Sequence, residues 1–352
     1  MNTEQISKIE TSIQNLKEKK SKIFFLVQDT KGNAKASISY IYDMALALKQ
    51  DNFNVIILHE KNDYMGVSGW LGEEYMSLPH DYIEGQNLSI APEDFIVIPE
   101  IYGFVMEQVA KLPCGKIVLT QAYDHILETL QPGQTWPLLG FHKCITTSNM
   151  LKEYLETMMR NVSYDVVRPF ISEKFSQQLL PNKPIIAVHS REQRDTLNLI
   201  KNFYLKFPQY RWITFKDMRG FSVSQFSNEL KNCFLSVWID ETSSYGTFPL
   251  ESMETNIPVL GVVPHIVPEW MTEDNGIWIN NKIQMVDYLA DYIQNWLEDN
   301  TNPNIYSEME KTIGKLSTKD EFYKQVQELF SDYLEKRANS FEEQLNKLQV
   351  TE

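Results

Sequence analysis

Residues 239–261, IDETSSYGTFPLESMETNIPVLG, join an apolar strand to a helix through a turn of small residues, and the reading of the whole chain grows from that junction. Residues 234–239 (FLSVWI) read as a buried strand, the turn 242–247 holds Ser243, Ser244 and Gly246, and Pro249 stands where a helix can begin. The helix is expected to stop at Asn256, with Ile257-Pro258-Val259-Leu260 opening the next buried strand. First-turn amides of such a helix point unpaired into the turn, with the positive end of the helix dipole behind them. An anion, and a phosphate above all, suits that position. Glu251, expected inside the first turn, adds a carboxylate able to accept two hydrogen bonds from vicinal hydroxyls.

Working outward, the same alternation of short apolar strands and helices recurs on both sides. In the second half, strands are expected at 185–188, 212–215, 234–239, 259–262 and 278–279, with helices through Leu197, Ile200 and Phe203, over 222–231 and over 249–255. In the first half, residues 23–27 (IFFLV) read as a strand buried on both faces. A helix through Ile38, Ile41, Met44 and Leu48 follows, then strands at 55–58, 95–98, 117–120, 143–147 and 165–167, with a helix over 103–112. Such alternation predicts two α/β halves, each a parallel doubly wound sheet. Residues 179–184 (LLPNKP), with two prolines and no periodicity, read as the linker between them and as a plausible hinge at 180–184. Ligands of such sheets bind beyond the carboxyl ends of the strands.

Composition fits two cores: 352 residues, 43% hydrophobic and 12% aromatic. The net charge of −14 argues against nucleic acid as the main ligand, because nucleic-acid binders carry a basic field. No apolar run approaches the roughly 20 residues needed to span a bilayer, and the polar N-terminus is unlike a signal peptide. A cytoplasmic location is expected. Cys114, Cys144 and Cys233 lie in or beside apolar segments without metal-ligand spacing and read as buried thiols.

The turn 189–194 (HSREQR) at the end of strand 185–188 would deliver Arg191 and Arg194 towards the turn 244–247, two cations with the donor fork that suits a diphosphate. Surface ion pairs with Glu192, Asp195 or Glu241 are the alternative. Lys216, just past strand 212–215, is read either as a second diphosphate contact or as a solvated loop lysine.

Gly246, Pro249-Leu250-Glu251, Met253 and Asn256-x-Pro258-Val259 together resemble the donor-site signature of retaining glycosyltransferases of family 4. The resemblance implies a GT-B fold, two Rossmann-like domains facing a central cleft, over roughly residues 23–316. It implies that Glu251 binds the ribose of a nucleotide sugar and that the turn matched by Ser244, Tyr245, Gly246 and Thr247 faces the diphosphate and sugar. The first glutamate of the family signature falls on Ser243, with Asp240 and Glu241 just upstream. Pro268-Glu269 before Asn275-Gly276 and the apolar 277–279 also matches the family pattern. Many family members carry a histidine after the strand matched by 117–120; here Gln121 stands nearest the strand, with Asp124 and His125 beyond. These three are the catalytic candidates, His125 being weighed against a structural role. Gly32, Asn33 and Glu100 lie on loops expected to form the acceptor side, Glu100 also fitting an N-cap or a salt bridge. His80 and His142 have no pairing legible in sequence.

The implied reaction moves a hexosyl group from a nucleoside diphosphate sugar to a hydroxyl of a glycan, lipid-linked or protein acceptor, with retention. No cofactor is implied beyond that substrate, and no Asp-x-Asp metal motif stands beside a donor strand. Two further classes remain: a non-catalytic GT-B subunit of a glycosylation complex, suggested by Ser243, and a sugar-nucleotide epimerase of the same fold. The expected organisation is an N-terminal helix (1–22), an acceptor domain (23–172), a nucleotide-sugar domain (183–318) and a C-terminal helical extension (319–352). Ile6, Ile9, Ile13 and Leu16 form a coiled-coil-like stripe at the N-terminus. Phe322, Val326, Phe330, Tyr333, Phe341 and Leu345 form another near the C-terminus. The two ends either pack on one another or pair between subunits; a homo-oligomer or partner contact is the favoured expectation.

Overall fold

The computed structural model of the chain describes residues 2–85, 88–176 and 183–350, so most of the expected linker and hinge lies outside the described residues. The chain divides into two units: residues 1–147, 152–168 and 320–352 form the first, and 148–151 with 169–319 form the second.

In the first unit the chain runs α1 (Asn2–Lys17), β1 (Lys22–Leu26), α2 (Ala36–Gln50), β2 (Asn54–His59), β3 (His80–Tyr82), β4 (Phe95–Pro99), α3 (Gly103–Val109), β5 (Gly115–Thr120), α4 (Asp124–Thr129), β6 (Lys143–Thr146), α5 (Asn149–Met158, whose first residues belong to the second unit) and β7 (Ser163–Val166). Seven parallel strands lie in the order β3-β2-β1-β4-β5-β6-β7. The core strands are apolar at successive positions because helices cover both faces, and Phe24, Phe25, Ile96, Val97 and Val118 are all at most 2% exposed. Strand β3 (HDY) is half-buried and too polar and short to stand out from sequence.

The second unit runs β8 (Ile185–Ser190), α6 (Gln193–Lys206), β9 (Thr214–Asp217), α7 (Val223–Leu230), β10 (Leu235–Ile239), α8 (Thr247–Glu254), β11 (Val259–Val262), β12 (Ile277–Ile279), α9 (Met285–Leu297) and α10 (Asn304–Ile313). Its parallel sheet has the order β12-β11-β10-β8-β9. Alternate residues of the central strands feed two apolar layers. Ile186, Val188, Leu235 and Val237 join Leu199, Phe203 and Ile293 on one face, while Ala187 and Trp238 join Leu230, Phe248 and Met253 on the other. Helix α7 starts where expected because Ser222 and Gln225 form a reciprocal capping box. Several boundaries shift, β8 running on to Ser190 and β12 opening at Ile277. Strand β9 begins at Thr214, leaving Trp212 half exposed, and α8 begins at Thr247, before Pro249.

The final helix, α11 (Lys319–Val350), packs into the first unit from residue 320 onward. Its apolar stripe meets that unit's core, Phe330 against Phe25 and Phe322 against Tyr40, each at 5.9 Å between ring centroids. Polar contacts fix its height: the Tyr333 hydroxyl donates to Asp165 Oδ2 at 2.6 Å, and Arg337 donates to the carbonyls of Pro92 and Pro113. The N-terminal stripe is also used within the chain. Ile9, Ile13 and Leu16 are buried, Lys17 pairs with Glu342 at 2.7 Å, and a shallow groove lined by Ile13, Gln14 and Leu345 runs between the two ends. The stripe that suggested a partner subunit is therefore covered by its own chain.

Helix α1 is anchored by a buried carboxylate. Glu93, 8% exposed, accepts from Ser12 Oγ and from Asn15 Nδ2, both at 2.9 Å. Glu93→Ala leaves both donors without an acceptor, which costs about 1–3 kcal/mol. We expect a lowered melting temperature by calorimetry and faster proteolytic removal of α1, with the rest of the first unit intact.

Candidate functional site

The order β12-β11-β10-β8-β9 places a topological switch point between β8 and β10: α6 leaves β8 on one face of the sheet and α8 leaves β10 on the other. Such a point opens a crevice at the carboxyl edge. The segments that emerge there belong to the two singled out from sequence: the end of β8 with residues 191–192 and the start of α6, and residues 240–246 between β10 and α8.

Asp240 organises the second of these. Its Oδ1 accepts from the Thr242 amide (3.0 Å), the Thr242 hydroxyl (3.0 Å) and the Ser243 amide (3.1 Å), the geometry of an Asx turn. Gly246 then takes φ 73° and caps α8. A Cβ at Gly246 would lie 2.9 Å from the Trp238 ring and 3.6 Å from Trp270, so glycine is required both by the left-handed backbone and by the close approach. Trp270 Nε1 donates to the Tyr245 carbonyl at 2.6 Å, and Asn275 Nδ2 holds the Trp270 carbonyl at 2.7 Å. Ser148, from the short segment that belongs to this unit, donates to the Ser244 carbonyl at 3.3 Å. The turn is thus fixed from below by two tryptophans.

Three sets of polar groups there lack partners among the described residues. No side chain caps α8, leaving the amides of Thr247 and Phe248 open, and Pro249 has none to offer. The Ser244 hydroxyl is fully buried and unbonded. The Glu251 carboxylate makes no hydrogen bond or ion pair, and burial alone pushes its pKa up to about 8. The side chain is recessed rather than sealed, since part of its surface stays accessible. Because α8 begins at Thr247, Glu251 is its fifth residue, in the second turn and not the first.

The cations divide. Arg191 stands 3.8 Å from Asp240 Oδ2, beside the turn, a carboxylate other than the Glu192, Asp195 or Glu241 expected as its ion-pair partner. Arg194 is exposed on the first turn of α6, without an ion pair among the described residues. Lys216 lies inside β9 rather than past it, paired with Glu229 of α7 and packed 5.5 Å over the Phe221 ring. Of the residues just upstream of Ser243, Asp240 is used by the Asx turn and Glu241 pairs with Lys282 at 3.0 Å.

Two edge residues escaped the sequence reading. Arg219, held by Asp217, follows β9; the strand-end signal was Asp-Met-Arg-Gly, with Gly220 at φ 80°. His189, the last residue of β8 on the α8 face, stacks on Phe248 with ring centroids 5.0 Å apart. Only the register of β8 against β10, which sets His189 opposite Trp238, reveals it.

Of the first-unit candidates, Glu100 turns inward. Glu100 is 3% exposed and accepts from the amides of Gln121 (3.0 Å) and Ala122 (2.9 Å), tying the end of β4 to that of β5. Burial raises its pKa to about 6 even so. Gln121 spends its amide side chain on the Ser37 carbonyl at 3.0 Å, and Asp124 and His125 open α4, with His125 Nδ1 3.3 Å from Glu128. Gly32 and Asn33 form a local turn, φ 82° at Gly32 and Asn33 Nδ2 bonding the Thr30 carbonyl at 3.0 Å. His80 has a partner after all: its Nδ1 lies 2.8 Å from His59 Nε2, and Tyr64 stacks on His59 at 4.0 Å.

No family model matches the sequence, and no curated protein does. Solved structures do. Sucrose-phosphate synthase from Thermosynechococcus elongatus is similar over 94% of this chain and 100% of its own, with a TM-score of 0.58 at 13% identity. Anabaena HepE, solved with UDP-glucose, is similar over 88% and 99%, with a TM-score of 0.63 at 12% identity. A glycosyltransferase from Rickettsia africae is similar over 94% and 98%, with a TM-score of 0.51 at 13% identity. The chain therefore has the α/β GT-B fold, with two Rossmann-like parallel sheets. No helix among the described residues is long and apolar enough to cross a membrane.

Gly246→Ala tests the turn. A left-handed alanine costs about 1–2 kcal/mol, and its Cβ must also displace Trp238. Calorimetry should show the second unit destabilised by about 2 kcal/mol or more, with the first unit's transition unmoved.

Proposed function

We propose that this chain is a retaining glycosyltransferase, moving a hexosyl group from a nucleoside diphosphate sugar to an acceptor hydroxyl. The observation that carries the reading is one unpartnered, recessed carboxylate, Glu251, on the same short helix whose first amides and neighbouring Ser244 hydroxyl are also unbonded. Unpaired donors at a helix start suit phosphate oxygens, and an unpaired carboxylate suits hydroxyl donors such as those of a ribose. A nucleoside diphosphate offers both, in one molecule. The family 4 resemblance of residues 246–259 and the GT-B fold point the same way. In the reaction the bond from the anomeric carbon to the diphosphate oxygen breaks, the acceptor oxygen takes its place, and the acceptor's proton is lost. Charge then grows on the leaving diphosphate. The open amides of Thr247 and Phe248, with Arg191 beside the turn, are preorganised to stabilise it.

A second reading has its own observation. Asp240 and Glu241, the carboxylates nearest the first glutamate of the family signature, are already bound to the turn amides and to Lys282. A GT-B subunit that binds a nucleotide sugar without transferring it fits that arrangement.

Calorimetric titration with UDP, GDP, ADP and dTDP, paired with an assay of diphosphate release from the matching UDP, GDP, ADP and dTDP sugars, decides between them. Binding with release supports transfer, binding without release supports the scaffold, and no binding sinks both. Glu251 adds a pH signature. Its folded pKa, about 8, lies above the ordinary 4.5, so it stabilises the free protein at low pH and that contribution is lost as pH rises through 8. Hydroxyl donors favour the carboxylate, so nucleotide affinity should rise with pH towards 8 and level off above it. Glu251→Gln should flatten that rise and weaken binding about tenfold to hundredfold, the worth of hydrogen bonds to a charged group.

A further inference from the structure

Resting on the proposed nucleotide site, we infer that His189 is a further diphosphate-binding residue, donating its Nε2–H to the anion held at the start of α8. The argument begins with the sheet. Along β8, Ala187 and His189 point to the face covered by α7 and α8, and His189 is the last residue of that row before the carboxyl edge. Its ring lies nearly parallel to that of Phe248, at an interplanar angle of 20°. Phe248 is the second residue of α8, so the imidazole flanks the turn that carries the open amides and the unbonded Ser244 hydroxyl.

The two ring nitrogens are not equivalent. Nδ1 is enclosed and has no hydrogen-bond partner, whereas Nε2 is not among the enclosed atoms and the side chain as a whole is only partly covered. A buried N–H without an acceptor is the rarer and costlier orphan, so the proton of the neutral ring belongs on Nε2, the nitrogen that is not enclosed. The charged groups facing the ring are Asp240 from the end of β10, Asp217 from the end of β9, and Arg219. Both carboxylates are engaged, Asp240 by the turn amides and Arg191, Asp217 by Arg219. Burial lowers the pKa of His189, and these carboxylates offset only part of that. At neutral pH the residue is thus an uncharged N–H donor in a position where three other donors already lack acceptors.

The test uses inorganic pyrophosphate, which needs no base or sugar, and the nucleoside diphosphate series above. With six histidines in the chain, long-range proton–nitrogen spectra can assign His189 by its loss in His189→Phe, a variant that keeps a ring on Phe248. We expect a neutral Nε2–H tautomer in the free protein, shifted on addition of pyrophosphate. His189→Phe should weaken pyrophosphate and nucleoside diphosphate binding about tenfold, leave uridine, guanosine, adenosine and thymidine affinities unchanged, and melt like the wild type. An Nδ1–H tautomer, a His189 signal indifferent to pyrophosphate, or nucleoside diphosphate binding that depends on Glu251 but not on His189 overturns this inference alone. Pyrophosphate binding through His189 with no nucleotide binding anywhere would instead remove the nucleotide-sugar reading.

Discussion

The second unit depends on one steric constraint: the chain leaving β10 must pass across the face of Trp238 and turn back into α8 within a few residues. Only a residue without Cβ can do so, and it must do so at positive φ. Every other feature of the site follows from that passage. The Asx turn at Asp240 starts the reversal, Trp270 grips the Tyr245 carbonyl, and Gly246 sets the first amides of α8 facing the carboxyl edge. Had the turn been looser, a serine or threonine at the cap position would have satisfied those amides internally. The helix start is open because the cap is glycine, and the cap is glycine because the tryptophan is there.

How much of this was legible follows from what kind of information each feature needs. Strand and helix existence came from apolar runs, and β11 was placed to the residue because Pro258 and the left-handed Asn256 bracket its start. The start of α8 was misplaced by two residues, since Pro249 also fits the third helical position, where a missing N–H is equally harmless. Strand β3 was missed because His-Asp-Tyr has no apolar signature and is defined by pairing with β2 alone. Residues whose role is set by register across the sheet, such as His189 opposite Trp238 and His80 against His59, cannot be found from local pattern. The terminal helices taught the reverse lesson. Their stripes read as apolar faces needing a cover, but sequence does not say that α11 finds its cover on the core of its own unit.

Glu100 and Glu251 show why burial alone does not mark function. Both carboxyls are pushed upward by desolvation, to about 6 and about 8 respectively. Glu100 recovers part of that cost from two backbone amides and thereby stitches neighbouring strand ends together. Glu251 recovers none within the protein. A carboxylate that closes its own hydrogen-bond account is architecture, while one left open and partly accessible on a rigid helix stays available to groups outside the chain. Sequence treats the two glutamates alike; hydrogen-bond accounting separates them.

The same accounting bears on how a chain of net charge −14 accommodates the proposed diphosphate site. At the carboxyl edge of the second sheet three cations arrive with their own carboxylates, Arg191 beside Asp240, Arg219 on Asp217 and Lys282 on Glu241, while Arg194 stands exposed on the first turn of α6. Those pairs hold the loops in shape but leave little net positive field. Beside them stands a set of neutral groups, the amides of Thr247 and Phe248, the Ser244 hydroxyl and the inferred His189 N–H, fixed in place by the fold. Fixed dipoles of that kind work without long-range attraction and gain strength where water is displaced. At the proposed diphosphate site, short-range geometry thus outweighs electrostatic steering, and an acidic surface elsewhere on the molecule is no obstacle to it.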